Sequence, residues 1–191
     1  MDTTELPIIA FENSHKWRAW LEKNHEKQGI WLRFFKKNSS VATISYDEAV
    51  DEALCFGWID SQVKRYDEKS YLQKFTPRRT KSIWSKINRE KIAHLTKEGR
   101  MHPAGIKHVK QAKQNGQWDT AYDSPSTMQI PDDFLKELAK NKKAKAFFET
   151  LNKTNTYAIS WRLQTAKTPE TRDRRMKAIL ETLAKGEKFH E

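Results

Sequence analysis

The sequence predicts an α+β fold: a small, mostly antiparallel sheet with helices in the N-terminal half, followed by a helical C-terminal half. Strand and helix patterns follow one another irregularly in the first part of the chain, two strands lie close enough in sequence to form a hairpin, and strand patterns fade after Gly99. A hairpin is antiparallel, which favours this class over a doubly wound parallel sheet. We therefore predict an α+β region over residues 1–100 and a helical region over residues 101–191.

The first elements are predicted from apolar spacing. Residues 6–11 form a short apolar run that includes Pro7, which suits an edge strand. Ser14 is then predicted to cap a helix whose tryptophans recur at turn spacings. Residues 30–37 carry apolar side chains on both faces, a pattern typical of a buried strand. Residues 41–44 are predicted to add a further short strand.

The segment after residue 44 contains the clearest start of a helix. Ser45 and Glu48 have the spacing of a capping box, and Gly57 supplies a left-handed stop. From Trp58 onward the apolar period changes toward two, which predicts a strand. A second strand over residues 70–76 follows a short polar stretch, so the two strands are expected to pair as a hairpin.

The chain becomes strongly basic after Pro77. We predict that Ser82 caps a helix here, which would place several cations beside the positive end of the helix dipole and favour a phosphate or carboxylate. The alternative is that these charges are solvated side chains on an ordinary helix entrance. The residues of this predicted anion site are Arg78, Arg79, Lys81, Ser82 and Trp84.

The C-terminal half is predicted to be helical. Pro103 suits the first residue of a helix, and Pro131 with Asp132 and Asp133 is predicted to start the next one. Residues 155–167 carry a further helical pattern, and Thr168 caps a last helix that ends at Gly186. The final two helices are expected to form a hairpin with an apolar inner face and arginines outside.

Charge limits the classes of partner. The net charge is +11, and the first sixty residues are slightly acidic, so the basic character belongs to the rest of the chain. Such a field attracts anionic ligands, acidic proteins or nucleic acid. No nucleic-acid-binding motif is present, so that partner rests on charge and aromatic content alone. The same field repels cationic antimicrobial peptides, which argues against their direct capture.

The sequence also indicates a compartment. Cys55 is the single cysteine, so an intrachain disulfide is excluded, and we expect it to be a buried small side chain. The N-terminal segment carries acids where a signal peptide needs positive charge. The chain contains no run approaching the roughly 20 apolar residues of a membrane span. We expect a cytoplasmic protein.

Motifs for catalysis or cofactors are not found. The glycines are too scattered for a phosphate-binding or dinucleotide-binding loop. His94, His102 and His108 match no common zinc spacing, so neither a metal nor a cofactor is expected. We therefore favour a non-enzymatic protein. The alternative is an enzyme of unrecognised type whose pocket is formed by Trp58, Asp60, Gln62 and Tyr71.

Several long strings carry a resemblance to a known family. They are EALCFGWIDSQ, SYLQKFTPRR, KSIWSKINREK and EGRMHPAG, followed near the C-terminus by ISWRLQTAKTPETRDRRMKAILETLAKG. Over roughly residues 29–186 the chain resembles the bacterial bacteriocin-protection, YdeI or OmpD-associated proteins. The resemblance implies a role in stress resistance, either in withstanding antimicrobial peptides or in association with an outer-membrane protein. It supplies no catalytic residues.

Overall fold

The computed structural model describes residues 5–190, and it confirms the predicted fold class. Four strands lie in the first part of the chain: β1 (Ile8–Ala10), β2 (Ile30–Phe35), β3 (Trp58–Arg65) and β4 (Ser70–Pro77). The helices are α1 (Ser14–Asn24), α2 (Tyr46–Cys55), α3 (Lys86–Lys97), α4 (Pro103–Gln114), α5 (Asp132–Ala139), α6 (Lys142–Phe148), α7 (Lys153–Gln164) and α8 (Pro169–Ala184).

The chain divides into two compact units. The first contains the described residues up to Ser82 together with Asn88–Asp119. The second contains Ile83–Ile87 and the described residues from Thr120 onward. The sheet, α1, α2 and α4 thus belong to the first unit, and α5 to α8 belong to the second.

The four strands form one sheet in the order β1-β2-β4-β3. The β1–β2 pair is parallel, whereas β2–β4 and β3–β4 are antiparallel, so the prediction of a mostly antiparallel sheet is confirmed. The hairpin formed by β3 and β4 carries a bulge between Asp60 and Val63. A bulge of this kind increases the local twist of the edge strand and interrupts its regular pairing.

One face of the sheet is covered by α1 and α2. Ile30, Leu32 and Phe34 point to this face and are almost completely buried. Trp17 of α1 packs its ring edge-on against Trp58 of β3, and its Nε1 donates to the carbonyl oxygen of Ala49 in α2. Because the indole N–H has a backbone partner, this large side chain is buried without leaving a polar atom unsatisfied.

The predicted start of α2 is confirmed in detail. The Ser45 side chain accepts from the backbone N–H of Glu48, and the Glu48 carboxylate accepts from the backbone N–H of Ser45 at 2.9 Å. The Ser45 hydroxyl also donates to the Glu48 carboxylate, and this bond, together with the one from the Ser45 N–H, holds the pKa of Glu48 below its ordinary value. Gly57 ends the segment with a φ of +75°, the left-handed conformation that glycine adopts most easily.

Pro131 starts α5 as predicted, in the position of the cap. Three local predictions are wrong. Asn13, not Ser14, caps α1. Residues 41–44 form no strand and follow a short 3-10 turn, Lys37–Ser39. The helix expected from Ser82 begins at Lys86, because the Ser82 hydroxyl accepts from the N–H of Arg79 within a tight turn instead of capping a helix.

The second unit has its own apolar core. It is built from one side of each helix, and the buried members are Phe134, Leu138, Ala144, Ile159, Leu163, Met176, Ile179 and Leu183. Thr168 caps α8 as predicted, with Pro169 in the first helical position. None of the helices in the described part of the chain is both long and apolar enough to cross a membrane.

Candidate anion-binding cavity

A cavity of about 520 Å³ opens in the first unit between the end of β4, the start of α4 and the loop after α1. It lies within the size range of small-molecule sites in proteins, roughly 300–1,000 Å³. The side chains of one arginine, one lysine, three histidines and one glutamate line it, together with apolar residues. The lining residues are His25, Glu26, Phe56, Pro77, Arg78, His102, Pro103, Ala104, Lys107 and His108.

The turn that ends α2 builds the cavity. The carbonyl oxygen of Cys55 accepts from the N–H of His102 at 3.1 Å, which fixes the start of α4. Two residues later, the carbonyl oxygen of Gly57 accepts from the N–H of Arg78 at 2.9 Å, which fixes the end of β4. One turn therefore aligns the two segments that supply most of the cationic side chains.

The α4 helix begins at the cavity. His102 is its cap, and the His102 Nδ1 accepts from the N–H of Ala104 at 3.2 Å. The carbonyl oxygen of His102 accepts from the N–H of Ile106. Since these bonds occupy much of the first turn, the helix acts on the cavity mainly through the positive end of its dipole.

The residue directly after β4 adds a cation to the cavity. Arg78 lines the cavity and is only 5% exposed. Burial lowers the pKa of His108 below its ordinary value, and the charges of Arg78 and Lys107 lower it further. This imidazole is therefore neutral at neutral pH. An anion bound beside it would oppose those cations and favour its protonated form.

The opposite wall is formed by rings. The rings of Phe56 and His102 are stacked with their centroids 4.7 Å apart, and the His25 ring lies 4.9 Å from the His102 ring. Burial lowers the pKa of His102, and His25 and Arg18 add to the effect, while Glu22 opposes it. The Phe56 ring is only 1% exposed, so it supports the His102 imidazole, and this wall presents mainly the imidazoles of His102 and His25.

A buried ion cluster supports the ring wall from behind. The Glu52 carboxylate, in a residue that is 5% exposed, accepts from Arg18 at 2.8 Å and from Arg100 at 2.7 Å. The Arg18 guanidinium lies 5.3 Å from the centroid of the Phe56 ring. Because both arginines donate to one carboxylate, Arg18 is held in place beside Phe56 and is not available as a free ligand.

The predicted anion site at the helix start is only partly assembled. Arg78 lines the cavity, whereas Arg79 and Lys81 are exposed in the turn that follows. Ser82 lies in the same turn, and Trp84 is almost completely buried. The helix that begins beside Arg78 is α4, whereas the predicted helix, α3, begins only after this turn.

The residues of the alternative enzyme pocket have other neighbours. Asp60 accepts from the Tyr46 hydroxyl at 2.7 Å and from Gln73 Nε2 at 3.2 Å. Burial raises the pKa of Tyr46 most, and the hydrogen bond to Asp60 raises it further. Trp58 is fully buried, with its Nε1 donating to the carbonyl oxygen of His25. Gln62 is exposed within the bulge. Tyr71 stacks on Phe34, with the ring centroids 5.2 Å apart.

Cys55 is buried as expected. Burial raises the pKa of its thiol to about 11, and the nearby Glu52 carboxylate contributes to this increase. The thiol is therefore protonated at neutral pH and is a poor nucleophile. Within residues 5–190, no group of three or more histidine, cysteine or acidic side chains is arranged to hold a metal ion.

Sequence reasoning missed most of the cavity. His25 is far from His102 in sequence, and the two are brought together only by the turn after α2. One signal was available: Pro103 follows a histidine at a predicted helix start, and Lys107 and His108 follow one turn later. That spacing places them near the helix N-terminus, but it cannot reveal that the residue after β4 is an arginine that lines the same cavity.

The fold and the cavity define an α+β protein with a cavity lined by cationic side chains and histidines. The chain belongs to the family described as Domain of unknown function (DUF8412), whose model matches residues 9–108 and so covers the sheet and the whole lining of the cavity. Residues 127–186 match the family described as Bacteriocin-protection, YdeI or OmpD-Associated, which confirms the predicted resemblance over that part of the chain. Neither curated proteins nor solved structures give a match.

Proposed function

We propose that the protein is a binding protein whose basic cavity captures a small organic anion. The observation that carries the proposal is the convergence of the buried Arg78, Lys107 and three histidines on one cavity whose lining contains a single carboxylate, Glu26. Arginine is well suited to planar, bidentate recognition of carboxylate and phosphate groups. In a partly buried cavity such pairs are stronger than on an open surface.

The lining also indicates what accompanies the anionic group. The imidazole of His102 is stacked on the buried Phe56 ring, and Pro77 and Pro103 add apolar surface. A ligand that carries a phosphate or carboxylate on an apolar or aromatic body satisfies both walls of the cavity. A volume of about 520 Å³ accommodates such a molecule, and it exceeds what a single inorganic ion fills.

The experiment that tests this proposal is a calorimetric titration with pyrophosphate and citrate as probes. Arg78→Gln is expected to weaken binding at least tenfold, since it removes the charge-assisted hydrogen bonds of the guanidinium. Arg79→Gln is the matched control, because it removes the same charge from the next residue, which is exposed and outside the lining. We expect it to change affinity by less than about twofold.

A second variant tests the proposal even if Arg78→Gln folds poorly. Lys107 is exposed on α4 and lines the cavity, so Lys107→Gln should keep the melting temperature while weakening binding severalfold. If Arg78→Gln and Arg79→Gln weaken binding equally, the attraction is a diffuse property of the net positive charge and the proposal fails.

The cavity histidines predict a dependence on pH. The lowered pKa values of His102 and His108 leave both rings neutral at neutral pH, and acidification adds charge beside the bound anion. Anion affinity is therefore expected to rise as the pH falls through the lowered histidine range and to be nearly flat above pH about 7. His108→Asn should reduce this rise, whereas His15→Asn, at an exposed position in α1, should preserve it.

Without ligand, the free energy of unfolding is expected to decrease as the pH falls, whereas anion affinity is expected to increase. Because the folded state holds His102 and His108 neutral, the unfolded chain binds more protons once the pH falls below the ordinary histidine value, about 6.5. The free energy of unfolding should then decrease with acidification until the folded histidines also titrate. Thermal melts with and without pyrophosphate can measure both trends, and a ligand-free melting temperature that rises on acidification would contradict the assignment.

The bacteriocin-protection match supports a cellular role for this binding. With a net charge of +11, capture of a cationic peptide is disfavoured, so we place protection downstream of anion binding. Bacteria that express the protein should survive a cationic antimicrobial peptide better than cells that express Arg78→Gln at equal abundance. Equal survival of the two strains would show that protection does not depend on the cavity.

A further inference from the structure

The second face of the sheet, opposite to α1 and α2, carries a layer of aromatic and cationic side chains. Its members come from β2, β3, β4 and the residue after β3, and they are part-buried or exposed. We call them the open face: Trp31, Arg33, Phe35, Lys64, Tyr66 and Lys74.

Cross-strand register places these side chains together. Trp31 is paired with Lys74, and both Arg33 and Lys64 are paired with Leu72, which lies completely buried beneath them. The Lys64 ammonium lies 4.3 Å from the centroid of the Trp31 ring. Lys64 therefore reaches across β4 to β2, and the three strands share one continuous surface.

Arg33 organises the other end of the open face. Its guanidinium lies 4.5 Å from the Phe35 ring centroid and 4.7 Å from the Tyr66 ring centroid. It also donates to Asp67 at 2.7 Å and to the Ser70 hydroxyl at 3.0 Å. These contacts fix the guanidinium plane, so the arginine and the two rings form a stacking surface with a set geometry.

We propose that the open face binds single-stranded nucleic acid. Alternate residues of a strand lie roughly 6.6 Å apart, so Trp31 and Phe35 place two rings about 13 Å apart, and Arg33 between them holds Phe35 and Tyr66 together. Bases of an extended strand can stack on these rings, and cations beside them neutralise the phosphates. A sheet face with aromatic side chains between cations is a recurrent arrangement for this purpose.

The Lys64 contact does not prevent a base from stacking on Trp31. Lys64 is exposed and its stem is flexible, so its ammonium can leave the Trp31 ring for a phosphate. An exposed cation–π contact is weaker than the stacking of a base on an aromatic ring. On binding, a base therefore replaces the Lys64 ammonium on the Trp31 ring, and the ammonium then attracts a phosphate. This site shares no residue with the lining of the cavity, and each can be tested without the other.

The test compares two probes of equal charge by fluorescence anisotropy: a short labelled oligothymidylate and an abasic oligomer of the same length. Stacking predicts that the full-length protein binds the oligothymidylate at least tenfold more tightly. Trp31→Leu, which keeps an apolar cover over Leu72, should abolish most of this preference. Tyr66→Leu, at a half-exposed position, is a second variant in case Trp31→Leu is unstable.

Charge variants complete the design. Lys64→Gln with Lys74→Gln should weaken binding of both probes and reduce the slope of log affinity against log salt by about 1.4, or about 0.7 per lost phosphate contact. Lys142→Gln with Lys143→Gln on α6 removes the same charge from exposed positions and is the control. Equal affinity for the two probes, equal effects of the two lysine pairs, or binding to anionic lipid vesicles without binding to the oligothymidylate would each overturn the proposal.

Discussion

Gly105→Ala is expected to lower the free energy of unfolding by about 2–3 kcal/mol, because the first turn of α4 rests directly on the end of α2. A Cβ atom at this position would lie 2.1 Å from the carbonyl oxygen of Cys55 and 3.0 Å from that of Leu54. Both neighbours are backbone atoms, so no change of rotamer can relieve the overlap. The whole helix has to move away from α2.

The same displacement should reach the cavity. The N–H of His102 donates to the carbonyl oxygen that the new methyl group would strike, so movement of α4 separates Lys107 and His108 from Arg78. We expect Gly105→Ala to weaken pyrophosphate binding as well as stability. Alanine in place of a helical glycine ordinarily raises the free energy of unfolding by about 1 kcal/mol, so a net decrease would be due to the overlap with α2.

Urea unfolding monitored by tryptophan fluorescence measures the change, with Lys110→Ala on the exposed side of α4 as the control. That variant should change the free energy of unfolding by less than about 0.5 kcal/mol. A Gly105→Ala protein that is as stable as the parent protein would show that α4 does not approach α2 this closely.

Asn155→Ala is expected to cost about 3 kcal/mol in the second unit, because it removes a fully buried amide that holds the end of the chain. The Asn155 Oδ1 accepts from the N–H groups of Phe189 and His190 at 2.9 and 3.0 Å. Its Nδ2 donates to the carbonyl oxygen of His190 at 3.1 Å and to Asn152 Oδ1 at 3.0 Å. Alanine leaves all of these partners without the amide.

The size of this effect can be checked by a double-mutant cycle. Deletion of residues 187 onward removes the same contacts from the other side, so the deletion and Asn155→Ala should destabilise together by clearly less than the sum of their separate effects. Thr154→Ala, at an exposed position one residue earlier in α7, is the matched control. Additive effects would contradict a clamp made by Asn155.

Local sequence signals predicted the elements whose stabilising contacts lie close in sequence. The Ser45 and Glu48 capping box and the left-handed Gly57 are decided by residues within one turn, and both were predicted correctly. The start of α3 was predicted wrongly because a serine hydroxyl can accept either from a helical N–H or from a nearby turn N–H. The Ser82 hydroxyl accepts from the N–H of Arg79 in a turn.

The cavity depends on contacts between residues that are far apart in sequence. The local run of positive charge predicts Arg78 as a site residue. Its position in the lining, however, depends on the hydrogen bond to the carbonyl oxygen of Gly57 and on the approach of α4. His25 joins the same cavity from the loop after α1. Neither helical period nor charge runs contain this information, because it arises from the close packing of Gly105 against α2.

The most direct test of the account is an NMR titration of the six histidines with and without pyrophosphate. An anion held beside Arg78 favours the charged form of the imidazoles that line the same cavity. We predict that the pKa values of His102 and His108 rise when pyrophosphate binds, while the NMR signals of the exposed His15 and His94, which lie outside the lining, do not respond to pyrophosphate. Equal shifts at all six histidines, or no shift at His108 in the presence of saturating pyrophosphate, would contradict it.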